Sequence, residues 1–491
     1  MLLGSTRSLC PRIGPPIALL LAFMAACAAD ELIPEHGRYS QTYQSDWAAL
    51  PTGKDLAKWD IALQSFRAVN GEQVRAVFRN QAEVRLSGER LKVRWSKPGC
   101  DKYRHALYLF THCEKVVIED MAILNADPDF RASSTFFFED CGRVEIRNCY
   151  IAGTCGRAMI RIEGCREYFI DRVDLSGWDY PDAGMKAGPG IFINNGAGWD
   201  AARDRPGAIY AANFRELEWG VIQNSYIHDH PNTEPDTNHD GILLHAPADG
   251  LIFNCVFENY EGDSCLDVSH RRSDPGYRRH HFRVERNVFD RCHRVKTNGA
   301  VGSGDCSILW CNNLYLDSML TDYHAGWPNW HVHETFINHT GGGYFLTMYC
   351  RDGPTLLRNC LIHCPVSPGS MYEPWGKADE QDTWIQPDRC IYSMPAPRSW
   401  LKPRGEHGRV ITTWEDWRAA GFDTHSLLTQ AEPGFRDPAA GDYRLLPTSP
   451  ATGAGTPHMQ QAAELRRAVK SDFYGRPRPD PPSMGAFEAS P

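Results

Sequence analysis

The chain has 491 residues, 42% hydrophobic and 11% aromatic, enough for one large domain with appendages or for two to three domains. A formal net charge of -9 with lysines and arginines scattered along the chain excludes the clustered basic face of a nucleic-acid binder. Beyond the N-terminus no run of eighteen apolar residues occurs, so no transmembrane segment is expected.

Residues 1–28 read as a signal peptide. Arg7 and Arg12 supply a positive start, "IALLLAFMAA" is the apolar run, and Ala26-Cys27-Ala28 is an A-x-A cleavage pattern. Cleavage before Cys27 with lipid attachment there is the alternative, and Met24 is unusual for that box. The expected location is secreted, periplasmic or cell-surface, and the expected state a monomer. Seventeen cysteines would suit a disulfide framework. Setting aside Cys10 and Cys27 leaves an odd fifteen, many inside strand-like runs such as "NCYI", "NCVF" and "NCLI". There cysteine acts as a small hydrophobe, so few disulfides are expected.

Residues 29–98 are assigned to an N-terminal cap and first strands, with helical spacing over 45–67 that would cover the first coil. From about residue 110 one pattern returns: "VVIEDMAIL", "VEIRNCYIAG", "YFIDRVDLSG", "GVIQNSYIHD", "GLIFNCVFEN", "FRVERNVFDRC", "SILWCNNLYLD" and "TLLRNCLIHC". The period is roughly 25 to 30 residues, that of a solenoid. Alternation of period two, β-branched and aromatic residues, and Asn or Gly between units exclude helical repeats. Leucine spacing is too irregular for leucine-rich repeats, and a β-sandwich would lack the longer period. The pattern predicts an all-β fold, a right-handed parallel β-helix over 99–395, with Asn in left-handed bends bonding to the next coil. An irregular capping segment follows over 396–491, with a helix at "TTWEDWRAAGF".

That last segment carries "GDYRLLPTSPA", then "DFYGRPRP" and "GAFE". It resembles the closing segment of secreted pectate-lyase-like β-helix proteins, many of which act on polysaccharides. Ser483-Met484 departs from the acidic residue and Ile usual before the last glycine. The resemblance speaks for architecture; it does not choose among lyase, hydrolase and adhesin.

Strands one period apart stack about 4.8 Å apart, so sequence distance becomes geometry. Aligning Asp240 of "NHDGILLHA" with Asp263 of "GDSCLDVSH" makes Leu244 the counterpart of Asp267. Later coils add Arg294 and Lys296, then Asp322 and His324. Three carboxylates on two coils suit Ca²⁺, and a lysine beside them suits proton abstraction next to a uronate. The residues resemble family 9 polysaccharide lyases, with their G-D-D-x-x-D calcium stretch, an upstream Asp and a lysine base. That resemblance implies Asp240, Asp263 and Asp267 as metal ligands and Lys296 as base, with Arg294 or His324 assisting. The middle acid is replaced by Ser264. "NHD", "GDS" and "RVK" also loosely resemble the N-T-D, G-D-D and R-I-K motifs of family 28 glycoside hydrolases, where Ser264 would stand for the proton donor.

Plainer readings stand beside these. Asp263 and Asp267 are equally solvated acids at a bend, and Lys296 alone is an ordinary surface lysine. Trp199, Trp327, Trp330 and His245 are candidates for contacting sugar, though the aromatics equally pack loops onto the helix. His228, His230 and His239 have the residue types of a transition-metal site, with a hydrated or sugar-contacting loop as the blander account. The expected partner is an extracellular acidic polysaccharide. A hydrolase in the same groove and a non-catalytic carbohydrate-binding solenoid remain open.

Overall fold

The computed structural model describes residues 52–70, 76–94, 106–125, 134–153, 158–177, 189–194, 217–230, 240–245, 249–270, 280–299, 306–323, 329–341, 344–348, 355–374, 385–403, 409–457 and 469–489. The leader, the insertion with Trp178, Tyr180, Trp199 and Tyr210, and His239, His324 and Trp327 lie outside them.

The repeat folds as a parallel β-solenoid. One coil reads Asp249–Phe253, a bend at 254–255, Val256–Tyr260, a bend at 261–263, then Ser264–His270. Each strand pairs in parallel with its counterpart one coil on: Gly250 with Phe282, Val256 with Val288, Leu266 with Val295. Three ladders result. The leading and trailing ladders join at the first bend into a 22-stranded sheet, and the third forms a sheet of twelve strands, from Ala76–Arg79 to Ser399–Leu401.

Alternation sorts the side chains. Ile242, Leu244, Leu266 and Val268 point inward and are wholly buried. Aromatic residues repeat at the same inward level and therefore stack, as in Phe257–Phe289–Tyr315 with centroids 5.0 Å apart at each step. Burying each such ring contributes roughly 1.5–3 kcal/mol, which offsets the ordering of its short strands.

The first bend turns through a left-handed residue. Asn148, Asn224, Asn254, Asn312 and Asn359 hold it with φ between 49° and 58°. Asparagine tolerates that region better than other side chains and can satisfy its amide there. Asn254 Nδ2 donates to Asn224 Oδ1 at 2.8 Å, and Asn224 Nδ2 donates to Asp171 Oδ1 at 2.8 Å. The predicted bonding between coils is therefore present. The residue after the bend points inward: Cys255, Asn287, Asn313, Glu334, Cys360 and Cys390 share this level on successive coils. Eleven cysteines, among them Cys255, Cys265, Cys292, Cys311 and Cys360, are buried free thiols, the core-filling role their strand positions predict.

The ends differ in placement from the sequence expectation. Helix α1, Gly53–Ala57, begins with a Thr52–Asp55 capping box and buries only Gly53 and Ala57. So short a helix cannot cover a coil end; it lies on the outside of the trailing ladder, against Glu167–Ser176 and Tyr226–His230. Trp59, Ile61 and Phe66 continue over Ala122, Tyr150 and Ala152. At the other end α2, Trp414–Ala419, closes the core: Trp417 stacks on Trp400, Tyr372 and Phe422. The chain then returns along the trailing ladder. Tyr443, Phe473 and Phe487 cover Leu314 and Ile337, and Leu445, Ala451 and Met484 cover Leu361 and Ile391. The "DFYGRPRP" motif is a clasp: Asp472 holds the Arg476 guanidinium, and buried Arg478 pairs with Glu488 and donates to Asn312 Oδ1.

Candidate functional site

With the trailing ladder clad from outside, attention falls on the outer face of the twelve-stranded sheet. Arg79, Thr111, Glu139, Glu163, Asn194, His245, Ser269, Asn298 and Tyr323 are successive register partners on it. Among those whose side chains are described, Arg79, Thr111, Glu139, Glu163 and Asn194 occupy outward positions and bear hydrogen-bonding groups. At the usual strand separation the row spans about 38 Å. The neighbouring outward row changes along the axis, from Leu109 and Phe137 through Arg161, Phe192 and Leu243 to Asp267 and Thr321, with Lys296 the register partner between the last two. Long connections flank this sheet: nine residues precede Asp240–His245 and nine follow Ser264–His270, against two at the first bend wherever the strand breaks there. Variable segments on a rigid scaffold are where binding sites are commonly built.

The register corrects the alignment read from sequence. Asp240 partners Ser264, not Asp263, and Asp267 partners Leu243, not Leu244. The glycines caused the slip. Gly241 lies inside its strand, where a Cβ would come within 2.3 Å of the Cys265 carbonyl oxygen, whereas Gly262 belongs to the bend before its strand. Matching Ile242 with Leu266 and Leu244 with Val268 restores the pairing. A one-residue shift moves a side chain to the other face.

The consequence for the acids is direct. Asp240 falls on the inward side with Ile242 and Leu244, 1% exposed, and accepts a 2.6 Å bond from the Ser264 hydroxyl. Asp263 sits in the bend and pairs with Arg294 at 2.9 Å. Asp267 stands on the outer side, 2% exposed, in register with Lys296. Interior, bend and outer face are three separate settings. Among the described residues no group of three or more His, Cys, Asp or Glu is placed to hold a metal ion. The resemblance had implied Asp240, Asp263 and Asp267 as joint ligands; here they stand on the inward side, in the bend and on the outer side.

Other candidates separate likewise. Asp322, expected beside His324 on the groove, points inward with no exposure; it meets His331 Nε2 at 3.3 Å and accepts from Thr355 Oγ1 at 2.9 Å. Trp330 belongs to the leading ladder and packs with Leu309, Cys311, Val332 and Val469 under the returning chain. His228 lies between Asp174 (2.9 Å) and Asp229 (2.8 Å), while His230 stacks inside on Tyr260 at 4.8 Å. Burial opposes charge on His228, yet the two carboxylates hold its pKa above the ordinary histidine value. The two histidines therefore serve different settings.

One constellation escaped the sequence reading. Arg161 Nε donates to Glu163 Oε1 at 2.8 Å, and its guanidinium lies over the Phe137 ring at 4.5 Å. Glu139 is the register partner of Glu163 on the preceding coil. Charges placed among apolar residues in "TFFFED" and "MIRIEG" were the available signal. Unequal loops hid the row, because Glu163 to Asn194 is 31 residues and Asn194 to His245 is 51.

These observations define the class of protein, a parallel β-solenoid with a polar outer sheet. Compared with protein-family models and with curated proteins, the chain matches none.

Proposed function

We propose that this solenoid acts on an extracellular acidic polysaccharide laid along the twelve-stranded sheet, and that it cleaves the chain by β-elimination. What supports the reading is the nine-coil row of register partners, all of polar residue types, with Asp267 in register with Lys296 and the Asp263–Arg294 pair at the later coils. One polar side chain every 4.8 Å or so suits a linear partner presenting hydroxyls at a regular pitch. In this reading Lys296 removes the proton at C5 of a uronate. The C4–O glycosidic bond then breaks, a C4=C5 double bond forms, and the departing sugar oxygen takes up a proton. Arg294, a third exposed, offers a guanidinium to the uronate carboxylate. The resemblance to secreted polysaccharide-active β-helices, and export by the N-terminal leader, belong to the same proposal.

Incubation with a panel of uronate-containing polymers tests it. Products with the ultraviolet absorbance of an unsaturated uronate, lost in Lys296→Ala, are expected. Reducing sugar released without that absorbance would instead mean hydrolysis, and binding without turnover across the panel a non-catalytic module.

A further inference from the structure

Between Cys306–Cys311 and Thr355–Arg358 the solenoid interior holds a cluster of polar and aromatic side chains. Trp310 and His331 are register partners at one inward level, their rings stacked at 5.6 Å and 13°. Asn329 and Thr355 are partners at the next inward level. Asp322 reaches across from the twelve-stranded sheet to both His331 and Thr355. All five are at most 3% exposed.

Three atoms here have no protein partner: Trp310 Nε1, Asn329 Nδ2 and His331 Nδ1. A buried unpaired donor costs about 1–3 kcal/mol, so three on adjoining side chains require an explanation. The indole and amide nitrogens can only donate. The imidazole can accept at Nδ1 if its proton sits on Nε2, where the Asp322 carboxylate takes it. Two donors and one acceptor match one molecule that accepts twice and donates.

We infer that the lumen between these coils is a binding site for an ordered water molecule that accepts from Trp310 and Asn329 and donates to His331. The water fixes His331 as the neutral Nε2–H tautomer and completes a polar chain from Thr355 through Asp322 and His331. An anion is disfavoured because Asp322 faces the same imidazole. A cation is disfavoured because the two amide-type nitrogens bring hydrogens, not lone pairs.

A crystal structure of the whole chain with ordered solvent resolved tests this. One water within about 2.7–3.2 Å of all three nitrogens is expected; a dry lumen, or these nitrogens bonded to protein atoms, would overturn it. Nitrogen NMR of labelled protein gives an independent reading that needs no variant. His331 should show a protonated Nε2 and an acceptor Nδ1; a protonated Nδ1 would refute the assignment. Trp310→Phe, which keeps the stack, should leave the water on the other two atoms. Loss of the water in a folded Trp310→Phe would also count against it.

Discussion

The Ser264 hydroxyl donates to the Asp240 carboxylate across one coil, 2.6 Å apart, with both side chains shut off from solvent. Ser264 stands where the lyase and hydrolase motifs that the sequence resembles carry an acid. Here it is the inward partner of a buried carboxylate, and an acid in its place would meet Asp240 directly.

Ser264→Asp is therefore expected to destabilise by several kcal/mol, since two carboxylates would share one buried spot. Ser264→Ala should cost about 1–3 kcal/mol through the lost bond. Denaturant melts compare the two. A Ser264→Asp variant of native stability that gains calcium-dependent turnover would contradict this placement.

Stability should fall as pH rises from about 5 toward 7. Burial pushes the Glu334 carboxyl up to about 7 and the Asp423 carboxyl up to about 6. Both bind protons in the folded state that the unfolded chain has released above its ordinary carboxyl values, so the folded state loses ground across that interval. For Glu334 the full effect is on the order of 3 kcal/mol. His228, raised by its carboxylate partners, adds in the same direction as pH passes its ordinary value. Glu258 and Asp229 oppose at the acid end: burial works against them, but hydrogen bonds and cations hold both pKa values down, so their contribution is lost below about pH 4. Thermal melts should peak on the acidic side of neutrality, and Glu334→Gln should flatten the descent.

Asn254→Ala removes the amide bond to Asn224 and leaves Ala at φ 51°. A loss of roughly 1–3 kcal/mol is expected, and Asn254→Gly should recover part of it. Equal melting of the Ala and Gly variants would show that backbone strain plays no part at this bend.

Trp330→Ala should lower the melting temperature without changing affinity for any polysaccharide, because the ring packs with Val469 on the leading ladder. Asp267→Asn, on the outer face of the twelve-stranded sheet, should differ: turnover or binding reduced at least tenfold, whatever its effect on melting. Titration calorimetry beside melting curves separates the two patterns.

The solenoid was legible because its causes are local and repeated. Asn at the first bend, alternating Ile and Leu, and a cysteine or asparagine just after the bend recur in most coils. The helix at Trp414–Ala419 was legible from its Trp spacing and its Thr413 cap. The site was harder, because side-chain direction in a strand changes with every residue. A glycine inside one strand and a glycine before the next look alike in sequence, and that single ambiguity sent Asp240 to the wrong face. Trp330 misled for a related reason: nothing nearby in sequence announces that Val469 will cover it.

Stacked repeats touch only their neighbours, so such arrays can lose coils from either end one at a time. The two terminal segments alter that here. Lys54 is pinned to Glu258, the Trp59 backbone N–H to Asp174, the Gly485 N–H to the Asn359 carbonyl and the Ala486 N–H to Thr335. Val288 is packed from both sets of contacts. Like two battens nailed across a row of planks, they tie coils far apart in the stack to one another. Fraying of a terminal coil must peel a batten from its neighbours, so the solenoid should melt in one cooperative step.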